Sequence, residues 1–403
     1  MTTYQPYRDF CAQRQRVNQS RAFSETLPLP DGRALRDGVS FINFSSNDYL
    51  GLSHHPLLKE RARDFMDCYG AGATASRLVS GNLPPYASLE AKLAAAKGQA
   101  AALLLSSGYQ TNISVLAALA DRGVLKQPLT VLADRLSHYS LLQGALLGQA
   151  RLVRFRHNDV GHLEQLLCFE QEQDRRCLIV TESVFGMDGD QADLPLLIAL
   201  ARRYNAMLYV DEAHATGLFG REGFGLAADY NGSIDVVMGT FGKALGGFGS
   251  YIACDVSLRE YLIQRCGGLI YSTGLPPAVL GTIDAAIELV PSLSKERHFL
   301  QQQAARLCTS LRQQGWNCGM STTHIIPVIL GDEQAATALA TTLATHGILA
   351  PAIRPPTVPP GTSRLRLSLS AAHKKEDIDH LIAVLARYAT DNPALVSRHL
   401  AVS

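Results

Sequence analysis

The sequence predicts an α/β protein with a large, mostly parallel sheet domain and a smaller α+β C-terminal domain. Three observations carry the α/β reading. Short apolar runs alternate with helical stretches over residues 100–255, as expected for strands buried on both faces and joined by crossover helices. Two of those runs, 207–210 and 234–238, end in reactive residues: Asp211 and His214 after the first, Thr240 and Lys243 after the second. A shift in composition at 292–297 separates this region from a shorter mixture of helices and strands.

The chain has 403 residues, 47% of them hydrophobic, which is ample for a core and for more than one domain. Its net charge of +1 gives no electrostatic case for nucleic acid or an acidic membrane surface. Eight cysteines are scattered without a CxxC pair, so reduced thiols are expected rather than a disulfide scaffold or a metal site. No apolar run approaches 18 residues, and the first fifteen residues lack an apolar targeting core. A cytoplasmic protein is expected.

Residues 1–25 read as a helical arm, and turns at Pro30-Asp31-Gly32 and Arg36-Asp37-Gly38 lead into a strand over 40–44. The polar turn Ser45-Ser46-Asn47-Asp48-Tyr49 follows, with ordinary turn chemistry as one reading and a functional loop as the other. A helix over 57–67 ends in the small-residue loop 70–82, and a helix over 85–97 leads to a strand over 101–105. Ser106 to Asn112 then opens a helix over 113–120. Strand, small turn and helix start together offer free N–H groups and a positive dipole end to a phosphate.

Strands over 129–133, 152–155, 177–181, 207–210, 234–238 and 250–254 complete the large sheet, with helices over 160–169, 194–204 and 256–266 between them. His138, just past the first of these strands, is either a ring that stacks on a flat cofactor or a histidine at a helix start. A helix over 278–289 closes the large domain. Helices over 299–314, 333–346 and 375–388 and strands over 325–330, 348–353 and 364–370 make the small one. The expected division is 1–50 for the arm and first strand, 51–290 for the large domain and 291–403 for the small domain.

The groups at the strand ends suit pyridoxal 5'-phosphate (PLP). A Schiff-base lysine must be held partly desolvated so that it reacts as the neutral amine, which fits Lys243 on its glycine-flanked turn. Asp211, as a buried carboxylate, favours a protonated pyridine nitrogen. Ser107, Gly108, Tyr109 and Thr240 are the phosphate candidates, His138 the ring-covering candidate, and His214 the partner for the cofactor hydroxyl. An amino-acid substrate needs a guanidinium for its carboxylate; Arg364 and Arg366 share a strand face, so spacing does not choose between them.

Several stretches together carry a family resemblance: FSSNDYLGLSHHP, SRLVSGN, SSGYQTN, ADRLSHYSLLQGA, RFRHND, TESVFGMDGD, VDEAHATGLFG, GTFGKALGG, YSTGLPP and RPPTVPPGTSRLRLSLSAAH. They resemble the α-oxoamine synthases, PLP enzymes of fold type I, over residues 41–385. GTFGKALGG and the RPPTVPP segment look closest to the branch that serves biotin synthesis. The resemblance implies a homodimeric acyltransferase that condenses L-alanine with a pimeloyl thioester of coenzyme A or acyl carrier protein. It implies Lys243 as Schiff-base lysine and proton carrier, Asp211 on the pyridine nitrogen, His138 on the ring face and His214 on the cofactor oxygen. It further implies Ser272 and Thr273 reaching the phosphate from the partner subunit, Asn47 near the substrate, Arg366 on the amino-acid carboxylate, and Arg21 and Arg354 near the acyl chain.

Two departures stand out. Gly186 occupies a position where relatives commonly have serine, so one hydrogen bond is expected to be missing or supplied by Ser183. The loop GAGATASRLVSGN resembles the aminoketone and sphingoid-base branches, which use glycine or serine with other acyl thioesters. A non-catalytic PLP-binding subunit is the third alternative; Lys243, present here, argues against it.

Overall fold

The computed structural model describes residues 3–16 and 19–396. Fourteen strands run in chain order: β1 (Leu27–Pro28), β2 (Arg33–Arg36), β3 (Val39–Asn43), β4 (Ala101–Leu105), β5 (Leu129–Asp134), β6 (Arg151–Phe155), β7 (Arg176–Glu182), β8 (Met207–Asp211), β9 (Val236–Thr240), β10 (Ser250–Cys254), β11 (Ile325–Gly331), β12 (Ile348–Leu349), β13 (Ala352–Ile353) and β14 (Ser363–Ser368). The central sheet has seven strands in the order β4-β10-β9-β8-β7-β5-β6. β10 is antiparallel to both its neighbours, and the remaining pairings are parallel.

Side chains alternate between two apolar clusters, one on each face of this sheet. Leu103, Val131, Val180 and Met238 point to one side; Leu104, Leu132, Ile179 and Val237 point to the other. Both faces are covered, which is why these strands read as continuous apolar runs rather than alternating ones. The crossover helices begin where short acidic side chains can cap them. Asp159, Asp193 and Asp255 each accept a backbone N–H in the first turn of the helices Val160–Glu172, Leu194–Arg203 and Val256–Arg265. Proline opens Pro56–Tyr69, Pro85–Lys97 and Pro277–Leu289, where its missing N–H costs nothing.

The N-terminal strands pair with the C-terminal region. β2 and β3 form a hairpin around Asp37 (φ 50°) and Gly38 (φ 77°), and β3 pairs in parallel with β12 from the C-terminal region. The stretch 348–353, expected as one strand, is two: β12 joins the N-terminal sheet and β13 joins β14 and β11. Pro351 lies between them; without an N–H it cannot continue a ladder. The expected helical arm is present as Gln5–Arg16, with no buried residue; residues 1, 2, 17 and 18 lie outside the described residues. Among the described residues no helix is long and apolar enough to cross a membrane.

Candidate active site

The reactive groups collect at the carboxyl ends of β4, β5, β7, β8 and β9, the edge where open α/β sheets bind ligands. The helix expected over 113–120 begins five residues earlier, as Gly108–Leu119, because Ser107 caps it by accepting the Gln110 N–H (3.4 Å). Gly108 and Tyr109 therefore occupy the first turn, whose N–H groups the helix itself leaves free. A Cβ built on Gly108 would stand 3.9 Å from Thr240 Cβ, so the helix start and the end of β9 face each other. The free N–H groups of that first turn are the kind of donor that suits a phosphate. Thr240 Oγ1 donates to the Gly249 carbonyl (2.9 Å) and accepts from Gly242 N (3.2 Å).

His138 stands at a helix start. It caps the helix Tyr139–Leu147, and its exposed ring meets the Tyr109 ring edge-on at 6.4 Å. Its Nδ1 lies 2.6 Å from Ser140 Oγ. Ser140 in turn accepts from Asn112 Nδ2 (2.9 Å), and the same amide donates to Asp211 Oδ2 (2.8 Å). Asp211 Oδ1 accepts the Ala213 N–H (2.8 Å), and the Asn112 carbonyl oxygen accepts the Tyr209 hydroxyl (2.7 Å). The acid is thus fixed on both oxygens. A buried asparagine inside an apolar helix was the sequence signal for this support.

Lys243 sits on the 241–249 connection between β9 and β10. Gly246 (φ 66°) turns the chain there, and a Cβ on it would come within 2.5 Å of the Leu52 backbone, so only glycine fits without displacement. Lys243 Nζ is 2.8 Å from His214 Nε2. His214 Nδ1 is 2.8 Å from the Tyr49 hydroxyl, which donates to Asn47 Oδ1 (2.9 Å) and accepts from Arg366 Nη2 (3.1 Å). With Lys243 donating to Nε2, the imidazole proton sits on Nδ1 and every polar group in the chain is satisfied.

Burial pulls the Lys243 amine down to about 8; Asp211 and Glu182 oppose that pull and Arg366 adds to it. Burial, then the Lys243 and Arg366 charges, hold His214 well below the ordinary imidazole range, so it is neutral.

The structure separates the two arginines that spacing could not. Arg364 pairs with Asp188 (2.5 Å). Arg366, 9% exposed, has no acidic partner among the described residues; it bonds the Gly186 carbonyl (2.5 Å), Asn47 Oδ1 (3.2 Å), Ser368 Oγ (2.7 Å) and Tyr49. A buried guanidinium held only by neutral oxygens is suited to an incoming carboxylate. Asn47 and Tyr49 reach it because the 45–49 turn is tied to the C-terminal segment, through Ser368 N to the Phe44 carbonyl (2.7 Å) and Ala371 N to the Tyr49 carbonyl (2.8 Å).

Other expected residues lie further out. Ser272 Oγ accepts from Gln110 Nε2 of the same chain (2.6 Å), and Thr273 bridges to Ser76. Arg21 bonds Thr357 (3.2 Å) on the loop that begins at the half-buried Arg354. A Cβ on Gly186 would stand 2.5 Å from His214 Nε2, so the ring occupies the space a serine there would need. Ser183 Oγ is buried without a hydrogen-bond partner among the described residues.

The donor set fits PLP: a desolvated amine, a fixed acid, a ring face and a phosphate cradle surround one sheet edge. Comparison with known proteins agrees. The aminotransferase class I and II family model matches residues 39–385. An 8-amino-7-oxononanoate synthase of Gluconacetobacter diazotrophicus is 51% identical over 359 residues, covering 89% of this chain and 90% of that protein. A Magnetococcus marinus protein provisionally bearing the same name is 54% identical, over 94% of this chain and 96% of its own. Among solved structures, a Sphingomonas wittichii serine palmitoyltransferase superposes with a TM-score of 0.90 at 28% identity, covering 98% of this chain and 100% of that one. The 8-amino-7-oxononanoate synthase of Francisella tularensis gives 0.75 at 25%, covering 88% and 99%. The chain belongs to the aminotransferase class I and II family and, within it, to the PLP-dependent acyltransferases of fold type I called α-oxoamine synthases.

Proposed function

We propose that this protein condenses L-alanine with a pimeloyl thioester, releasing carbon dioxide and the free thiol and forming 8-amino-7-oxononanoate. The observation that carries the reading is Arg366: a buried cation without an acidic partner among the described residues, wired through Tyr49 and His214 to the Lys243 amine. An α-amino acid presents the carboxylate and amine that such a pair requires. The names of relatives at 50–54% identity support the biotin-pathway product.

Bound PLP supplies an electron sink for charge developing at the substrate α-carbon. The chain's own residues do the rest. Asp211 and His214 hold and orient the cofactor ring, His138 covers one face, and Ser107, Gly108, Tyr109 and Thr240 take its phosphate. Arg366 and Asn47 fix the amino-acid carboxylate, which aligns the α-proton. Lys243, with its amine near 8, removes and returns that proton efficiently close to neutral pH. The working unit is a homodimer in the cytoplasm in which Ser272 and Thr273 serve the partner's phosphate site, and Arg21 and Arg354 flank the acyl chain. Either coenzyme A or acyl carrier protein is the leaving thiol.

A second reading, serine or glycine with a different acyl chain, draws support from the 0.89–0.90 TM-scores to serine palmitoyltransferases and from the 70–82 loop. A panel of alanine, serine and glycine against pimeloyl, palmitoyl and short acyl thioesters separates the two. The first expects alanine with pimeloyl to give the highest kcat/KM; a preference for serine with a long chain would replace it. Lys243→Ala is expected to abolish turnover and covalent PLP capture together.

A further inference from the structure

We propose that Glu182 is a positioning residue that sets the ring-covering His138 and the carboxylate-binding Arg366 in one register. This rests on the PLP-enzyme reading above. Glu182 ends β7, is 4% exposed, and stands beside Asp211 in the parallel pairing of β7 with β8. In-register residues of adjacent strands share a face, so the Glu182 side chain lies on the same face of the sheet as that of Asp211.

Its two oxygens reach in two directions. Oε1 accepts the His138 N–H (2.6 Å), fixing the backbone of the residue whose ring lies open to the site. Oε2 accepts the Gly186 N–H (3.3 Å), and the Gly186 carbonyl in turn receives Arg366 Nε (2.5 Å). One carboxyl group therefore bridges the loop after β5 and the loop after β7. The loop after β7 is otherwise held by an isolated bridge of Val184 with Gln191 and a Phe185 N–H to Asp190 carbonyl bond (3.0 Å); both Glu182 bonds are made to backbone, so they set main-chain position rather than a side-chain rotamer.

The electrostatics agree with this division of labour. Burial, then the Asp211 charge, push Glu182 up to about 8, with Lys243 and the two backbone N–H groups pulling it down. At neutral pH the group is therefore mostly protonated. A carboxylic acid still accepts on both oxygens, so positioning does not need ionisation.

The test compares Glu182→Gln, which keeps the shape and one good acceptor, with Glu182→Met, which keeps the volume and no acceptor. Three quantities are measured on full-length protein: PLP affinity by spectroscopic titration, KM and kcat for L-alanine, and Tm. Glu182→Met is expected to weaken PLP binding and raise the alanine KM by tenfold or more each, and Glu182→Gln to recover part of both. A merely structural role predicts a lower Tm with PLP affinity and KM unchanged, and that result overturns the proposal. If Glu182→Met does not fold, Glu182→Gln decides: a wild-type PLP affinity together with a wild-type KM sinks it. Should the wild type bind PLP yet turn over no amino acid, the reaction assignment fails, while the affinity comparison still decides the role of Glu182.

Discussion

Lys243 Nζ and His214 Nε2 are 2.8 Å apart, so the amine meets a neutral ring nitrogen as its nearest polar neighbour rather than a carboxylate. A carboxylate in that place would hold the amine protonated. The buried imidazole instead leaves it within reach of deprotonation near neutral pH.

The first prediction concerns PLP capture by the free protein. With the amine at about 8, it is mostly protonated below that value and mostly neutral above it. At pH 7.5 about a quarter is neutral, against about one part in a thousand for an ordinary lysine near 10.4. The capture rate, followed by absorbance from pH 6.5 to 10, should rise through pH 8 and then level. A rate still climbing tenfold per unit above pH 9 would contradict the assignment.

Tyr49→Phe removes the oxygen that joins His214, Asn47 and Arg366. The imidazole N–H and one guanidinium N–H are then buried unpaired. Thermal or urea unfolding should show a loss of about 1–3 kcal/mol, and the alanine KM should rise because the guanidinium loses a locating bond.

Arg366→Lys and Arg364→Lys should differ although the side chains share a strand face. Lysine at 366 loses the planar fork, and the alanine KM is expected to rise about 10–100-fold, equivalent to about 1.4–2.7 kcal/mol. Lysine at 364 retains a charge for Asp188 and should leave KM near wild type. Steady-state kinetics on the two variants checks the contrast.

His157 lies between Asp134 (2.9 Å) and Asp190 (2.7 Å), whose hydrogen bonds and charges push it up to about 10 against burial. Its folded value lies above the unfolded value of about 6.5. The stabilisation is therefore complete below about 6.5 and is lost as pH rises through about 10. His157→Gln should lower stability by about 1.5–3 kcal/mol at pH 7. It should also flatten the fall in Tm between pH 7 and 10 relative to wild type, as read by calorimetry.

Sequence pattern exposes what depends on local order. Lys243, Asp211 and the Ser107-Gly108-Tyr109 turn follow apolar runs directly, so strand ends revealed them. Tyr49 looked like a turn residue because its role is made by Arg366, 317 positions away. Spacing alone could not separate Arg364 from Arg366; in the structure Asp188 pairs with the first. Asn112 and Glu182 act through hydrogen bonds to Asp211, His138 and Gly186, and no spacing rule encodes those partners. The helix start at Gly108 was missed because small and polar residues hid a capped first turn.

The pairing of Asn47 and Tyr49 with Arg366 has a consequence for how the protein is made. Every group from Ser107 to Lys243 leaves the ribosome well before Arg366 does. The groups assigned to the cofactor are therefore synthesised before the guanidinium assigned to the substrate carboxylate. That guanidinium meets its partners only once β14 has folded back onto the 45–49 turn, through the Ser368 to Phe44 and Arg366 to Asn47 bonds.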